Sequence, residues 1–152
     1  MKKSRRFLAL VLTVITLMSV MAITAFAANT SDKNFSLTVS GSTYQPVARQ
    51  TKEDTSTVYL FMNDSTTYTH CFVQACGSST YTSSLLNKTI VNSERANYVV
   101  CRREVKYNIH TDIYEDGYPY AALRFKQLNS SYAGTVAGKW SPDSVGSYTP
   151  AT

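Results

Sequence analysis

Histidine is almost missing from this 152-residue chain: His70 and His110 are the only two. Thiol catalysis needs a thiolate beside an imidazole, with a third group holding the ring. His70 adjoins Cys71, but neighbours on a strand point to opposite faces. Cys76 shares the parity of His70, yet six residues of extended chain separate them by roughly 20 Å. Zinc sites want Cys or His in short-spaced pairs, and Cys71 with Cys76 is followed by no second pair. Glycine is also scarce, at six residues, and there is no phosphate-cradling glycine loop, no G-x-S-x-G and no H-E-x-x-H. Nothing in the spacing of the ten acids nominates two for sugar hydrolysis. No catalytic residue, metal ligand or cofactor is therefore expected.

Long apolar runs are absent after residue 23, but one is present before it. Lys2, Lys3, Arg5 and Arg6 precede the unbroken run Phe7–Ile23, which ends in Ala25-Phe26-Ala27. A basic start, an apolar stretch and an Ala-x-Ala close are the marks of a secretory signal peptide, with a helical apolar part and cleavage after Ala27. Its readers would be signal peptidase and the secretion machinery. The alternative is retention as an N-terminal anchor, since the run sits at the short edge of spanning length. After cleavage no stable membrane anchor is expected, and the product is expected to be secreted, extracellular.

Net charge then falls away. The whole chain has 15 basic and 10 acidic side chains, and four of the basic ones lie in residues 1–6. Without them 11 face 10, a formal balance of +1. The apparent argument for a nucleic-acid partner is mostly a targeting device, and no nucleic-acid partner is expected.

What remains abundant is Ser, Thr and Tyr: 16, 16 and 11 residues within 28–152. Thr and Tyr suit a pleated, half-buried surface. Asn34–Ser40 alternates, with Phe35, Leu37 and Val39 on one face. Thr57–Met62 is apolar on both faces, as a central strand would be. Tyr68–Ala75 alternates again, with Cys71, Val73 and Ala75 on one side and His70, Phe72 and Gln74 on the other. Asn97–Val105 puts Val99, Cys101 and Val105 inward, although Arg103 spoils that face. Gly134–Trp140 is the last strand. Thr43–Thr55 reads as a loop with a short strand near Tyr44–Ala48, and Tyr81–Ser93 as extended or irregular.

Lys106–Glu115 and Tyr118–Gln127 read as a hairpin. A two-residue loop at Asp116-Gly117 would set Ile109 opposite Arg124. A three-residue loop, Glu115-Asp116-Gly117, sets Tyr107 opposite Phe125 and Ile109 opposite Leu123, apolar against apolar. It also puts Gly117 at the left-handed position, so the three-residue loop is predicted, with Pro119 at a sheet edge.

The expected fold is all-β: one small antiparallel β-sandwich or open barrel of about six or seven strands. The expected division is signal peptide 1–27, flexible linker 28–33, β-domain 34–145 and disordered tail 146–152.

Three residues stand out as chemistry and three as surface. Cys71 and Cys101 lie on different strands with buried faces and could bridge; Cys76 with Cys101 is the alternative, and three reduced thiols the third possibility. Cys76, beside Gly77, is expected at an exposed strand end. Tyr114, Tyr118 and Tyr120 cluster around Pro119 and could form a binding platform, since tyrosine offers broad apolar contact with a polar end. His110, Asp112, Glu115 and Asp116 read as a solvated turn rather than a calcium site.

Gly117-Tyr-Pro-Tyr-Ala-Ala-Leu-Arg-Phe, leading to Gly138-Lys-Trp-Ser-Pro-Asp-Ser144, resembles uncharacterised small secreted proteins of Gram-positive bacteria. The resemblance implies an exported bacterial origin and brings no activity, so no functional residue is carried over. The function expected is a secreted, non-enzymatic β-domain that binds an unknown ligand or protein at or outside the cell surface. Alternatives are a secreted bacteriocin-like effector, disfavoured by the low charge and the absence of an amphipathic helix, and a glycan-acting enzyme.

Overall fold

The computed structural model describes residues 30–41, 43–128 and 132–152. The expected signal peptide, with Ala25 and Ala27, lies outside the described residues. The strands are β1 (Lys33–Val39), β2 (Gln45–Pro46), β3 (Gln50–Thr51), β4 (Val58–Met62), β5 (His70–Ser78), β6 (Leu86–Asn87), β7 (Thr89–Val91), β8 (Glu94–Arg95), β9 (Val99–Arg102), β10 (Lys106–Thr111), β11 (Tyr120–Gln127), β12 (Gly134–Ser141) and β13 (Thr149–Pro150).

They form two sheets. The first runs β1-β12-β4-β10-β7-β8, with β13 on β10; the second runs β2-β11-β5-β6, with β3 on β11 and β9 on β5. All pairings are antiparallel except β13 with β10. Neither sheet closes on itself, so the architecture is a β-sandwich rather than a barrel. Leu60, Met62, Ile109, Val136 and Trp140 from the first sheet meet Val73, Leu123 and Phe125 from the second, all at 1% exposure or less. Each such side chain stabilises the fold by roughly 1.5–3 kcal/mol relative to exposure.

β4 sits between β12 and β10, as its two-faced apolarity implied. The outer face of that sheet is covered at Tyr59 by Tyr148, ring centroids 5.0 Å apart. Tyr148 belongs to the segment expected to be a disordered tail. That segment is instead bound to the sandwich: Thr149 and Pro150 pair with Tyr107 and Asn108, Ala151 is buried, and the Val100 N–H donates to the Thr152 carbonyl. Backbone pairing needs no apolar pattern, so polarity alone hid it. Similarly, β1 begins at Lys33, inside the expected linker.

The predicted hairpin does not form. β10 pairs with β4, β7 and β13, whereas β11 pairs with β5, β2 and β3. Tyr107 and Ile109 still face Leu123 and Phe125, but across the core between sheets instead of along a ladder. An inward apolar face looks the same in both cases; only the partner differs. Residues between the strands make one helical turn closed by a Schellman pair, Gly117 N–H to the Tyr114 carbonyl and Tyr118 N–H to the Ile113 carbonyl. Gly117 does take the left-handed conformation, φ 76°. The same sheet-to-sheet step explains Arg103: β9 stops at Arg102, and Arg103-Glu104 turns towards β10.

Candidate functional site

The outer face of the second sheet is set by simple alternation. Ala121, Leu123, Phe125 and Gln127 of β11 point inward and are buried; Tyr120, Arg124 and Lys126 point outward and are partly exposed. On β5, opposite them, Phe72, Gln74, Cys76 and Ser78 share that outer face. Aromatic side chains from the flanking segments lie over it. The Tyr98 ring packs on Phe72 at 4.2 Å, and Tyr81 meets Tyr120 edge-on at 5.9 Å. The Arg124 guanidinium and the Lys126 ammonium sit 5.4 and 5.8 Å from the Tyr44 ring, and Arg49 lies 5.9 Å from Tyr81. Such cation–ring contacts favour one another electrostatically.

The acids lie mostly off the strands: Glu94 is the one that falls on a described strand, in the first sheet, beside Lys33, Arg95, Lys106 and Lys139. The six strands of the second sheet carry Arg102, Arg124 and Lys126 and no Asp or Glu. All ten acids lie elsewhere in the chain. A balance near zero over the whole domain therefore conceals one face that is basic and rich in tyrosine.

The three tyrosines singled out in the sequence do not make one platform. Tyr120 belongs to the outer face of β11, beside Tyr81. Tyr114 is exposed, on the helical turn. Tyr118 packs against the core, with the Lys88 ammonium 4.5 Å from its ring. Tyr114 and Tyr118 border a shallow pocket with Lys52, Gly117 and Pro119. Two acids of that turn are ion-paired, Asp116 with Lys88 and Arg95 and Asp112 with Arg95. Among the described residues no group of three His, Cys, Asp or Glu is arranged to hold a metal ion.

All three thiols are free and buried. Cys71 and Cys101 stand directly opposite each other on β5 and β9, where Cα atoms of antiparallel partners are about 4.5–5.5 Å apart, within bridging range. Cys76 lies five residues further along β5, so roughly 17 Å of strand separates it from Cys101. The alternative pairing is out of reach. Cys76 is also not the exposed strand end expected: β5 continues to Ser78, and Cys76 is buried on the outer face beside Arg124. Burial pushes the Cys71 thiol up to about 12 and the Cys76 thiol up to about 11, the latter against the pull of Arg124. Burial raises Cys101 as well.

One constellation had no signal in the sequence. Lys52 and Asp143 are both buried, and Lys52 Nζ lies 2.5 Å from Asp143 Oδ1. Nζ also donates to the Ser56 carbonyl at 2.7 Å, and the Glu53 N–H donates to Asp143 Oδ2 at 3.1 Å. Asp54 lies 3.5 Å from Nζ and within hydrogen-bonding reach of Asp143. Desolvation raises the Asp143 carboxyl above its ordinary range despite Lys52. Asp54 is held below it, its own burial outweighed by hydrogen bonds from Ser56. Lys52 stood in a polar loop and Asp143 in a turn, and nothing local announces that two distant loops will bury a charge between them.

A family model matches the chain over residues 23–144. No curated protein matches it, and no solved structure does. The match runs from before β1 through Asp143, so it takes in both sheets and the buried ion pair. The chain belongs to the family described as "Protein of unknown function (DUF2712)".

Proposed function

We propose that this is an exported, non-enzymatic binding domain, and that the outer face of its second sheet binds an anionic polymer at or outside the cell surface. The observation that supports this is the six-stranded sheet itself, with Arg102, Arg124 and Lys126, no acid, and a cover of Tyr44, Tyr81, Tyr98 and Tyr120. Guanidinium and ammonium groups bind phosphate or carboxylate, and exposed tyrosine stacks on sugar rings. The resemblance to exported Gram-positive proteins makes a polyphosphodiester envelope glycan the favoured ligand. Retention of residues 28–152 on immobilised wall teichoic acid is the test. At about 1 kcal/mol per exposed contact, Arg124→Ser with Lys126→Ser is expected to weaken binding roughly tenfold or more. Salt should weaken the wild type strongly and the double variant little. Wild-type binding that the double substitution leaves intact would refute the assignment.

The Cys71–Cys101 geometry supports a disulfide once the chain is outside the cell. The two thiols would give up two electrons and two protons to a disulfide oxidant, which leaves as two thiols. Exported protein is then expected to be lighter by two hydrogens, with Cys76 alone free after denaturation. A pH signature accompanies it. Thiols whose folded values lie above the ordinary 9 resist ionisation. Their stabilisation is complete below about 9 and is lost as pH rises towards 11 and 12. Reduced protein should therefore destabilise above pH 9 more steeply than oxidised protein. Equal slopes and three free thiols would mean that no bridge forms.

A further inference from the structure

The buried ion pair goes beyond the binding reading, because its groups are placed to react with each other. We propose that Lys52 and Asp143 condense to an intramolecular isopeptide bond, Lys52 Nζ to Asp143 Cγ, with Asp54 relaying the proton.

Nζ rests against Asp143 Oδ1 at 2.5 Å, one bond from the carbon it would attack. The Glu53 N–H holds the other oxygen, Oδ2, at 3.1 Å. A backbone N–H aimed there stabilises the negative charge that develops as the carboxyl becomes tetrahedral. Oδ1 is thus the leaving oxygen and Oδ2 the future amide oxygen. The Asp54 carboxyl is close to both partners. It is the most solvent-accessible of the three groups, its side chain 34% exposed against 1% for Lys52 and none for Asp143.

The atoms balance without a co-reactant. The ammonium gives one proton to Asp143 Oδ1, which it touches at 2.5 Å, leaving a neutral amine whose lone pair forms the Nζ–Cγ bond. The Cγ–Oδ1 bond breaks, and Oδ1 leaves as water with that proton and a second, which Asp54 relays to it from Nζ. One ammonium and one carboxylate become one neutral amide and one water.

Two physical arguments favour this outcome over a permanent ion pair. Burying opposite charges incurs a desolvation penalty that their attraction often fails to offset, and a neutral amide removes that penalty. Packing also fixes amine and carboxyl at contact, so the reaction proceeds at high effective concentration, in a place from which the product water can leave past Asp54. The bond would tie the loop before β4 to the end of β12, two segments 91 residues apart.

The test uses the full exported protein after reduction of its cysteines. Its intact mass is expected to be lighter by one water than its sequence. A tryptic digest is expected to contain a branched peptide joining Gln50–Lys88 to Trp140–Thr152, since an acylated Lys52 is not cleaved. Lys52→Arg, if it folds, should restore the full mass; the wild-type measurement decides the matter even if the variant does not fold. Full mass, with Lys52 and Asp143 recovered in separate peptides, overturns the proposal. So does the loss of water with the two peptides separate, which would indicate a cyclised aspartate elsewhere.

Discussion

Asp143→Ala is expected to destabilise the domain by about 3–5 kcal/mol, the range for removing one partner of a buried pair. That is a large part of the roughly 5–15 kcal/mol that holds a domain folded. The reason is what remains. Lys52 is almost fully buried, and with Asp143 gone its ammonium keeps the Ser56 carbonyl at 2.7 Å and the partly exposed Asp54 at 3.5 Å. The Glu53 N–H loses its acceptor as well. Lys52→Met combined with Asp143→Leu removes both charges while keeping apolar bulk. It is expected to recover the part of the loss caused by the stranded ammonium, but not any part due to a covalent link. Denaturant unfolding of the wild type, the single and the double variant gives the comparison. A single variant within 1 kcal/mol of the wild type would show that the pair is not buried as described.

Gly138→Ala is expected to cost about 3 kcal/mol or more, at or beyond the upper end of ordinary overpacking. Gly138 is paired with Phe35 of β1 on one side and Met62 of β4 on the other. A methyl group there would run into the backbone of β4, at the Phe61 carbonyl and the Met62 Cα. Backbone cannot rotate aside as a side chain can, so β12 would have to separate from β4. Gly117→Asn is the control. Nothing lies within 4 Å of a Cβ at Gly117, and its φ of 76° is one that asparagine tolerates. Its cost should stay below about 1 kcal/mol. Equal effects at the two positions would remove steric exclusion as the explanation.

Asp143 and Gly138 both lie in Gly138-Lys-Trp-Ser-Pro-Asp-Ser144, which the sequence presents as a recurring close without a role. Each part now has a place. Gly138 admits β4, Trp140 fills the core, the Ser141 hydroxyl donates to the Asp143 carbonyl at 2.7 Å, and the Ser144 N–H donates to the Ser56 hydroxyl at 3.0 Å. The segment is a device for delivering a carboxylate to Lys52.

Strand positions were legible because alternation reports burial directly: Cys71, Val73 and Ala75 are buried and His70, Phe72 and Gln74 only partly so. Pairing was not legible. Tyr107, Ile109, Leu123 and Phe125 carry the same inward signal whether their strands pair edge to edge or pack face to face. The C-terminal strand leaves no such mark, because β13 joins through backbone groups. The candidate binding face leaves none for a different reason. Recognition depends on where charges sit, and a balance over the whole chain does not show that Arg102, Arg124 and Lys126 share one sheet whose strands carry no acid.

The most direct measurement of the central claim is amide chemical-shift mapping of residues 28–152 during titration with purified wall teichoic acid. The expected result is a set of shifts centred on Phe72–Cys76, Val100–Arg102 and Tyr120–Lys126, shrinking as salt is added. Shifts centred on β1, β12 and β10, or none at any salt concentration, would contradict it.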